Sequence, residues 1–471
     1  MRRFLLCQIL ILLLLLAMAP WSNAQSAAAS PDWPALEREA VQKLSDYVRV
    51  DTTNPPGNEI AAAKWYAKIL QAEGIPFEIA ESASGRGNIV ARLKGDGSGP
   101  ALILLNHMDV VPASRAYWSV DPFAGLVRDG YLWGRGSIDM KSLGILQLLT
   151  FVELRRLHVR LRRDVIFMGT ADEEAGGDMG AGWVVKNRPD WIAGAGFLLT
   201  EGARSLADDS GKPIYFAVGA TEKTPAWLRL IATGRSGHGS QPIPDSAPNR
   251  LIAALERLRQ YRPPLELTPP IETMLRDRAA YEPEPWRGRF ADPKAFLAQP
   301  DAYDLLEKRP DILAVLRNTI SITALKGSNK TNVIPPEASA ELDCRLLPGW
   351  TIDHWVSQVR TIIDDPSIRI EVVLNFPPAV SSTDTALFST IEETVHNLKP
   401  GAGVIRSVIP GFTDSHFFRE KEIVSYGFGP YALTTEDVDR VHGDNERIPV
   451  KNYTEGLHVL WGVVYDFSRA K

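Results

Sequence analysis

Ala101-Leu102-Ile103-Leu104-Leu105-Asn106-His107-Met108-Asp109 places five consecutive apolar residues directly before a histidine and an acid. A short apolar run bounded by polar residues fits a strand buried on both faces. The same form recurs at Val165–Met168, which leads into Gly169-Thr170-Ala171-Asp172-Glu173-Glu174. It recurs again at Gly196–Thr200, which leads into Glu201-Gly202, and Asn88–Leu93 is a further short run. Helical stretches lie between them, notably Lys141–Leu157 and Ala181–Lys186. Residues 33–50 and 60–73 also space their apolar positions by three and four, with Pro55-Pro56-Gly57 as the break between them. Buried strands alternating with helices predict an α/β fold, with a mainly parallel mixed sheet covered by helices on both faces.

The pattern changes near residue 222. Trp227–Thr233, Asn318–Ala324 and Ala338–Arg345 alternate like half-exposed strands, while Ser246–Tyr261 and Asp353–Asp364 read as helices. These features predict a smaller α+β lid domain. From about Ser381 the first pattern resumes, with a helix near 386–397 and a strand near 422–428. Residues 33–221 and 379–471 are therefore expected to form one large domain, with the lid, 222–378, inserted between them. The Pro-rich, charged stretch 262–317 reads as an extra insertion within the lid, helical in part.

At 471 residues the chain has room for two to four domains of roughly 150 residues each. Its 45% hydrophobic and 23% charged residues match a globular protein and argue against overall disorder or a polytopic membrane protein. A net charge of -5 removes the main electrostatic support for a nucleic-acid partner. Two cysteines exclude a disulfide framework or a cysteine-rich metal site, leaving 8 histidines and 57 acidic residues for metal chemistry. At the start, Arg2 and Arg3 precede an apolar run from Phe4 to Ala19, then Ser22-Asn23-Ala24 before Gln25. Residues 1–24 read as a cleaved signal peptide, implying a secreted or periplasmic protein with no stable membrane span. The alternative is an uncleaved N-terminal membrane anchor, but the run falls short of the roughly 20 residues a span needs. Cleavage would remove Cys7 and leave Cys344 alone.

In open α/β sheets, sites form beyond the carboxyl ends of the strands. His107, Asp109, Glu173, Glu174 and Glu201 all sit at such ends, and Asp139, in Gly136-Ser137-Ile138-Asp139-Met140-Lys141, opens a helix. On an extended segment His107 and Asp109 share a face, so one can bind a metal while the other orients a neighbour. An extended backbone would turn the adjacent Glu173 and Glu174 opposite ways, one to ligate and one to handle protons. Asp139 carries two oxygens and could bridge two metals. Imidazole and carboxylate ligands suit zinc in a hydrolytic site. Each piece alone is ordinary, a solvated pair or a helix cap, and the weight lies in their order and strand-end placement.

The stretch Asn106-His107-Met108-Asp109-Val110-Val111-Pro112, then Trp118, Asp121-Pro122-Phe123 and Gly134-Arg135-Gly136-Ser137-Ile138-Asp139-Met140-Lys141, resembles peptidase family M twenty. These are co-catalytic zinc hydrolases, and the long insertion is similar to their carboxypeptidase S branch. The resemblance covers nearly all of residues 35–471. It implies two Zn2+ per chain, with Co2+ or Mn2+ as substitutes. His107 and Glu201 would hold one ion, Glu174 and His442 the other, and Asp139 would bridge them. Asp109 would orient His107, and Glu173 would be the general base. His238, in Ser236-Gly237-His238-Gly239-Ser240, would stabilise the oxyanion. Asn332, Arg345 and Gly411 match substrate-binding positions, the arginine suiting a terminal carboxylate. Phe412 departs from the Gly-Gly-Thr-Asp pattern of relatives, and Ser142-Leu143 replaces small residues.

The implied activity is cleavage of an amide or peptide bond beside a free carboxylate, as a metallocarboxypeptidase. The alternative is an aminoacylase-like N-acyl-amino-acid amidohydrolase. The expected partner is therefore a small peptide or an N-acyl amino acid. Some family members supply the histidine from a partner subunit, so a homodimer through the lid domain stays open for His238. A two-domain, inactive small-ligand-binding protein would have no reason to keep this set of acids and histidines.

Overall fold

The computed structural model describes residues 30–470, so the stretch read as a signal peptide lies outside the described residues. Among the described residues no helix is long and apolar enough to cross a membrane. The apolar runs are strands that reach on into their polar ends: Arg86–Leu93, Ala101–His107, Val165–Thr170 and Ala195–Thr200. They belong to a nine-stranded sheet ordered Phe77–Ala83, Arg86–Leu93, Val165–Thr170, Ala101–His107, Ala195–Thr200, Val424–Phe428, Pro213–Glu222, Gly403–Ile409, with Leu206–Ala207 beside Pro213–Glu222. The four strands from Val165–Thr170 to Val424–Phe428 run parallel, as do the last two in that order. Antiparallel pairs complete the mixed sheet. Three of its strands, Phe77–Ala83, Pro213–Glu222 and Gly403–Ile409, have no counterpart in the sequence reading. The first and last are edges with exposed polar residues, so they lack a doubly buried apolar run.

Burial on both faces explains the continuous apolar strands. Leu102, Leu104 and Phe167 pack into one cluster, while Ile103, Leu105, Ile166 and Met168 pack into another across the sheet. Helix Lys141–Arg156 is buried from Lys141 through Leu154 because it lies between the sheet and helices Trp33–Val48 and Val450–Ser468. Its start is thereby fixed beside the ends of the parallel strands.

A second, antiparallel sheet is ordered Thr319–Lys326, Glu337–Leu346, Thr224–Thr233, Arg369–Asn375. Helices Ala247–Gln260 and Ile352–Ile363 cover one face over a core that includes Leu228, Leu230, Leu342 and Trp355. Residues 262–317 carry five short helices, from Pro269–Ala279 to Pro310–Val315. Their core takes in Leu347 from the smaller sheet and Val408 from the larger. Asp277 also accepts bonds from Nε and Nη2 of Arg406, both at 2.7 Å, on the edge strand of the large sheet. This segment therefore braces both layers instead of belonging to the smaller one alone. An uncovered sheet edge supplies the physical reason, because its backbone needs a cover.

The chain crosses between the sheets twice. At the first crossing Glu222 is buried, with Oε1 3.0 Å from Arg419 Nη1 and Oε2 accepting from Thr413 Oγ1 at 3.0 Å. The next residue, Lys223, is fully buried, and its Nζ donates to the carbonyls of Ala314 and Arg317, both at 2.7 Å. At the second crossing the Phe376 ring stacks on His416 with centroids 3.6 Å apart. His416 is buried and neither ring nitrogen has a hydrogen-bond partner; Arg419 is close by, and the Glu420 carboxylate lies 3.7 Å from Nδ1.

Burial, reinforced by the charge of Arg419, lowers the His416 pKa to about 3. The unfolded imidazole binds its proton near pH 6.5, so the unfolded chain is favoured as pH falls below that value. This contribution is flat above about pH 6.5 and costs up to about 1.4 kcal/mol per pH unit between there and pH 3. Urea midpoints at about pH 7.5 and about pH 5 should therefore differ less in His416→Phe, which keeps the stack but binds no proton.

Candidate active site

The polar strand ends meet at one place. His107 ends its strand, and its Nδ1 lies 3.0 Å from the backbone carbonyl of Asp109 and 3.6 Å from the Asp109 carboxylate. With Nδ1–H donated there, Nε2 presents its lone pair to Asp139 Oδ1 at 3.1 Å and Glu201 Oε1 at 3.4 Å. The other oxygen of Asp139 lies 3.1 Å from His442 Nε2, which is also 3.2 Å from Glu174 Oε2. Asp139 thus faces a different imidazole with each oxygen, and each imidazole has a second carboxylate of its own.

These donors fit divalent cations. A neutral imidazole lone pair against carboxylate oxygens places acceptor against acceptor, which a cation between them resolves. Glu174 Oε1 is buried with no hydrogen-bond partner. One ligand atom from each of His107, Asp139 and Glu174 falls within 4.8 Å of the others, and so do those of His107, Glu173 and Glu201. The electrostatics point the same way. Burial, and then the Asp139 charge, push Glu201 up to about 7 and raise Glu174. Burial and the charge of Glu201 raise Glu173 well above the carboxylate range. His442 is raised to about 11 by its hydrogen bonds to Asp139 and Glu174. So many buried acids around two imidazoles leave negative charge for a metal to neutralise.

Asp109 does more than face His107. It is fully buried, and its two oxygens accept the backbone N–H groups of Glu173 at 3.2 Å and Glu174 at 3.1 Å. The Glu-Glu pair sits on a 3-10 turn, Glu173–Ala175, and not on the extended backbone expected from sequence. Asp172, at φ 72°, starts that turn in the left-handed region. Its carboxylate is held by Arg86 and by the backbone N–H of Met179 at 3.0 Å. Arg86 Nη1 also lies 3.1 Å from Glu59 Oε1, and Asn54 Nδ2 donates to Asp109 at 2.8 Å. A second anchor holds the other side. Glu446 is fully buried, accepting from Ile138 N at 2.7 Å, Asp139 N at 3.2 Å and Arg135 Nη1 at 2.7 Å. Arg135 Nη2 donates to the carbonyl of Gly443 at 3.0 Å, joining the Asp139 loop to the His442 loop.

Asn54, Glu59, Arg86 and Glu446 are absent from the sequence reading. They lie far along the chain from the residues they hold, and no spacing announces them. Arg135 stood inside the quoted Gly-Arg-Gly stretch, which was the one available signal.

A cavity of about 460 Å³ joins the cluster to the smaller sheet. Its walls include Asp139, Glu173, Glu174, Glu201 and His442, together with Trp227, Arg345, Gly411 and Phe412. Arg345 is gripped by Asp343, Nε to Oδ1 at 2.6 Å and Nη2 to Oδ2 at 2.9 Å, while its Nη1 is buried without a partner. His238 and Asn332 are not brought to this cavity. Both are exposed neighbours on the smaller layer, where Gly239 N donates to Asn332 O at 2.9 Å and His238 Nδ1 is 2.7 Å from Ser240 Oγ. Strand Gly237–His238 pairs with Val333–Ile334, and this pairing holds the two residues together there.

The chain belongs to peptidase family M20/M25/M40, whose profile matches residues 103–466. It is a hydrolase of that family. The N-fatty-acyl-amino acid synthase/hydrolase PM20D1 of Xenopus tropicalis is 36% identical over 354 residues, covering 74% of this chain and 68% of that protein. The probable carboxypeptidase S-like 2 of Dictyostelium discoideum is 32% identical over 380 residues, covering 78% and 72%. Human carnosine dipeptidase 1 shares the fold with a TM-score of 0.72 at 18% identity, covering 92% of this chain and 97% of that one. Residues 54, 59 and 86 fall before the matched span.

Replacing Arg86 with Met would strand the buried carboxylates of Glu59 and Asp172 beneath the Glu173 turn. Removing one partner of a buried ionic group costs about 3–5 kcal/mol. Urea unfolding of Arg86→Met should show that loss.

Proposed function

We propose that this chain is a di-zinc amidohydrolase that cleaves an amide bond beside a free carboxylate, acting outside the cytoplasm. The observation that carries the reading is Asp139, whose two oxygens each face a different imidazole at 3.1 Å. His107, Glu201 and Asp139 would hold one ion, and His442, Glu174 and Asp139 the other. When bound, such a pair lowers the pKa of water and supplies positive charge where the transition state gains negative charge.

The side chains account for the remaining work. Glu173 lines the cavity without facing an imidazole as Glu174 does, and burial raises its pKa. It is the group to take the proton from water at its carboxylate and return it to the leaving amine. Arg345 Nη1 is unpartnered and suits the substrate carboxylate, with Asp343 fixing the guanidinium plane. His238 would support the oxyanion only after the smaller layer, or a partner's, approaches the cluster. The cavity walls Val111, Leu143, Ile409, Leu433 and Val441 are apolar and suit an apolar acyl group. That lining, together with the resemblance to the Xenopus enzyme, favours N-acyl amino acids. Peptides with a free carboxyl end are the second reading, favoured by the carboxypeptidase S-like relative.

Elemental analysis of the purified protein should find about two zinc ions per chain. N-acyl amino acids and dipeptides should release free amine, faster from the former. A single ion with full activity would remove the bridging role of Asp139, and no amine from either class would remove the reading. Glu173→Gln should keep its metal and lose about 10²–10⁴ in turnover. In Arg345→Ala, substrates with a free carboxylate should lose far more kcat/KM than their amidated versions, because only they lose a charged partner. Equal losses on both would take Arg345 out of the carboxylate pocket.

A further inference from the structure

We propose that Phe412 is a specificity-determining residue that limits the size of the amino-acid side chain accepted beside the substrate carboxylate; this rests on the function proposed above. Phe412 stands where the resembled pattern has glycine, in a loop that follows strand Gly403–Ile409 of the large sheet. Its ring reaches the smaller sheet. The Arg345 guanidinium carbon lies 4.9 Å from the ring centroid. The ring is wedged by two other aromatics, Trp227 at 6.1 Å and Phe376 at 5.3 Å, both at steep interplanar angles. Phe376 is itself stacked on buried His416. Trp227 is tied by Nε1 to Asp343 Oδ1 at 3.1 Å, the same carboxylate that grips Arg345. The ring and the guanidinium therefore hold each other in place.

This arrangement defines a small space. Asp343 occupies Nε and Nη2 of Arg345, so Nη1 is the nitrogen left without a partner. A substrate carboxylate bound there puts its α-carbon one bond further on, and the side chain on that carbon comes next to the Phe412 ring. The neighbouring position is open, since a Cβ on Gly411 would meet nothing within 4 Å. The bulk at this wall comes from the ring. Its aromatic neighbours keep it from swinging aside, so a large side chain has to displace a packed ring, which rigid packing opposes. The same ring offers its face to the cation, worth about 0.5–2 kcal/mol and lost when it is shortened.

The test compares kcat/KM for one acyl group on glycine and on leucine, in the wild type, Phe412→Gly, Phe412→Leu and Phe412→Tyr. The leucine-to-glycine ratio should rise about tenfold or more in Phe412→Gly, the discrimination carried by one or two methylenes of pocket volume. Phe412→Leu should give a smaller rise, and Phe412→Tyr should keep the wild-type ratio. A ratio unchanged within about twofold in both shortened variants overturns the proposal. If Phe412→Gly fails to fold, Phe412→Leu decides by itself. If the wild type turns over no acyl amino acid, the functional reading fails. The same ratio is then read from calorimetric dissociation constants of N-acetylglycine and N-acetylleucine, and no binding, or an unchanged ratio, overturns the inference as well.

Discussion

The Asp109 carboxylate is the constraint on which the site depends. It is fully buried, and Asn54 and the backbone N–H groups of Glu173 and Glu174 supply its partners, with His107 Nδ1 at 3.6 Å. Burying a charge without partners is expensive, so the fold must deliver all of these groups to the same point. Delivering them brings two strand ends and the loop after the first helix into register. The candidate ligand His107 and the proposed base Glu173 are then set by the same two oxygens.

Opposite this hub, Glu446 and Arg135 do the equivalent work for Asp139 and His442. A buried ion pair of this kind is weak support for net stability, since desolvation offsets much of its attraction. Its value here is positional. Glu446 collects backbone N–H groups from the Asp139 loop, and Arg135 collects a carbonyl from the His442 loop. Two segments about 300 residues apart in the chain are held so that one carboxylate can face both imidazoles.

The smaller layer meets this cluster through aromatic and guanidinium contacts. Trp227, Arg345 and Phe412 line the cavity, whereas His238 and Asn332 stay on the exposed side of their own layer. The segment 262–317 packs on both layers, and the buried Lys223 caps its last helical turn at the crossing. Movement between the layers therefore has to work against packed side chains and not only against a flexible linker.

Residue order alone disclosed much of this protein. The doubly buried runs Ala101–Leu105 and Val165–Met168 announced parallel strands, because a strand covered on both faces has no reason to alternate. Their polar ends announced where a site would form, since strand carboxyl ends share one edge of such a sheet. His107, Asp139, Glu174, Glu201 and His442 were legible because metal-type side chains at those ends are few. The half-exposed edge strands were not legible, because solvent on one side erases the apolar run. Nor were Asn54, Arg86 and Glu446, whose roles come from hydrogen bonds across long stretches of chain with no period to read. Only the tertiary structure decided that Glu173 and Glu174 diverge on a turn, that Phe412 packs against Arg345, and that His238 lies apart from the cluster. Each of these depends on which surfaces meet after packing, and local sequence carries no record of that.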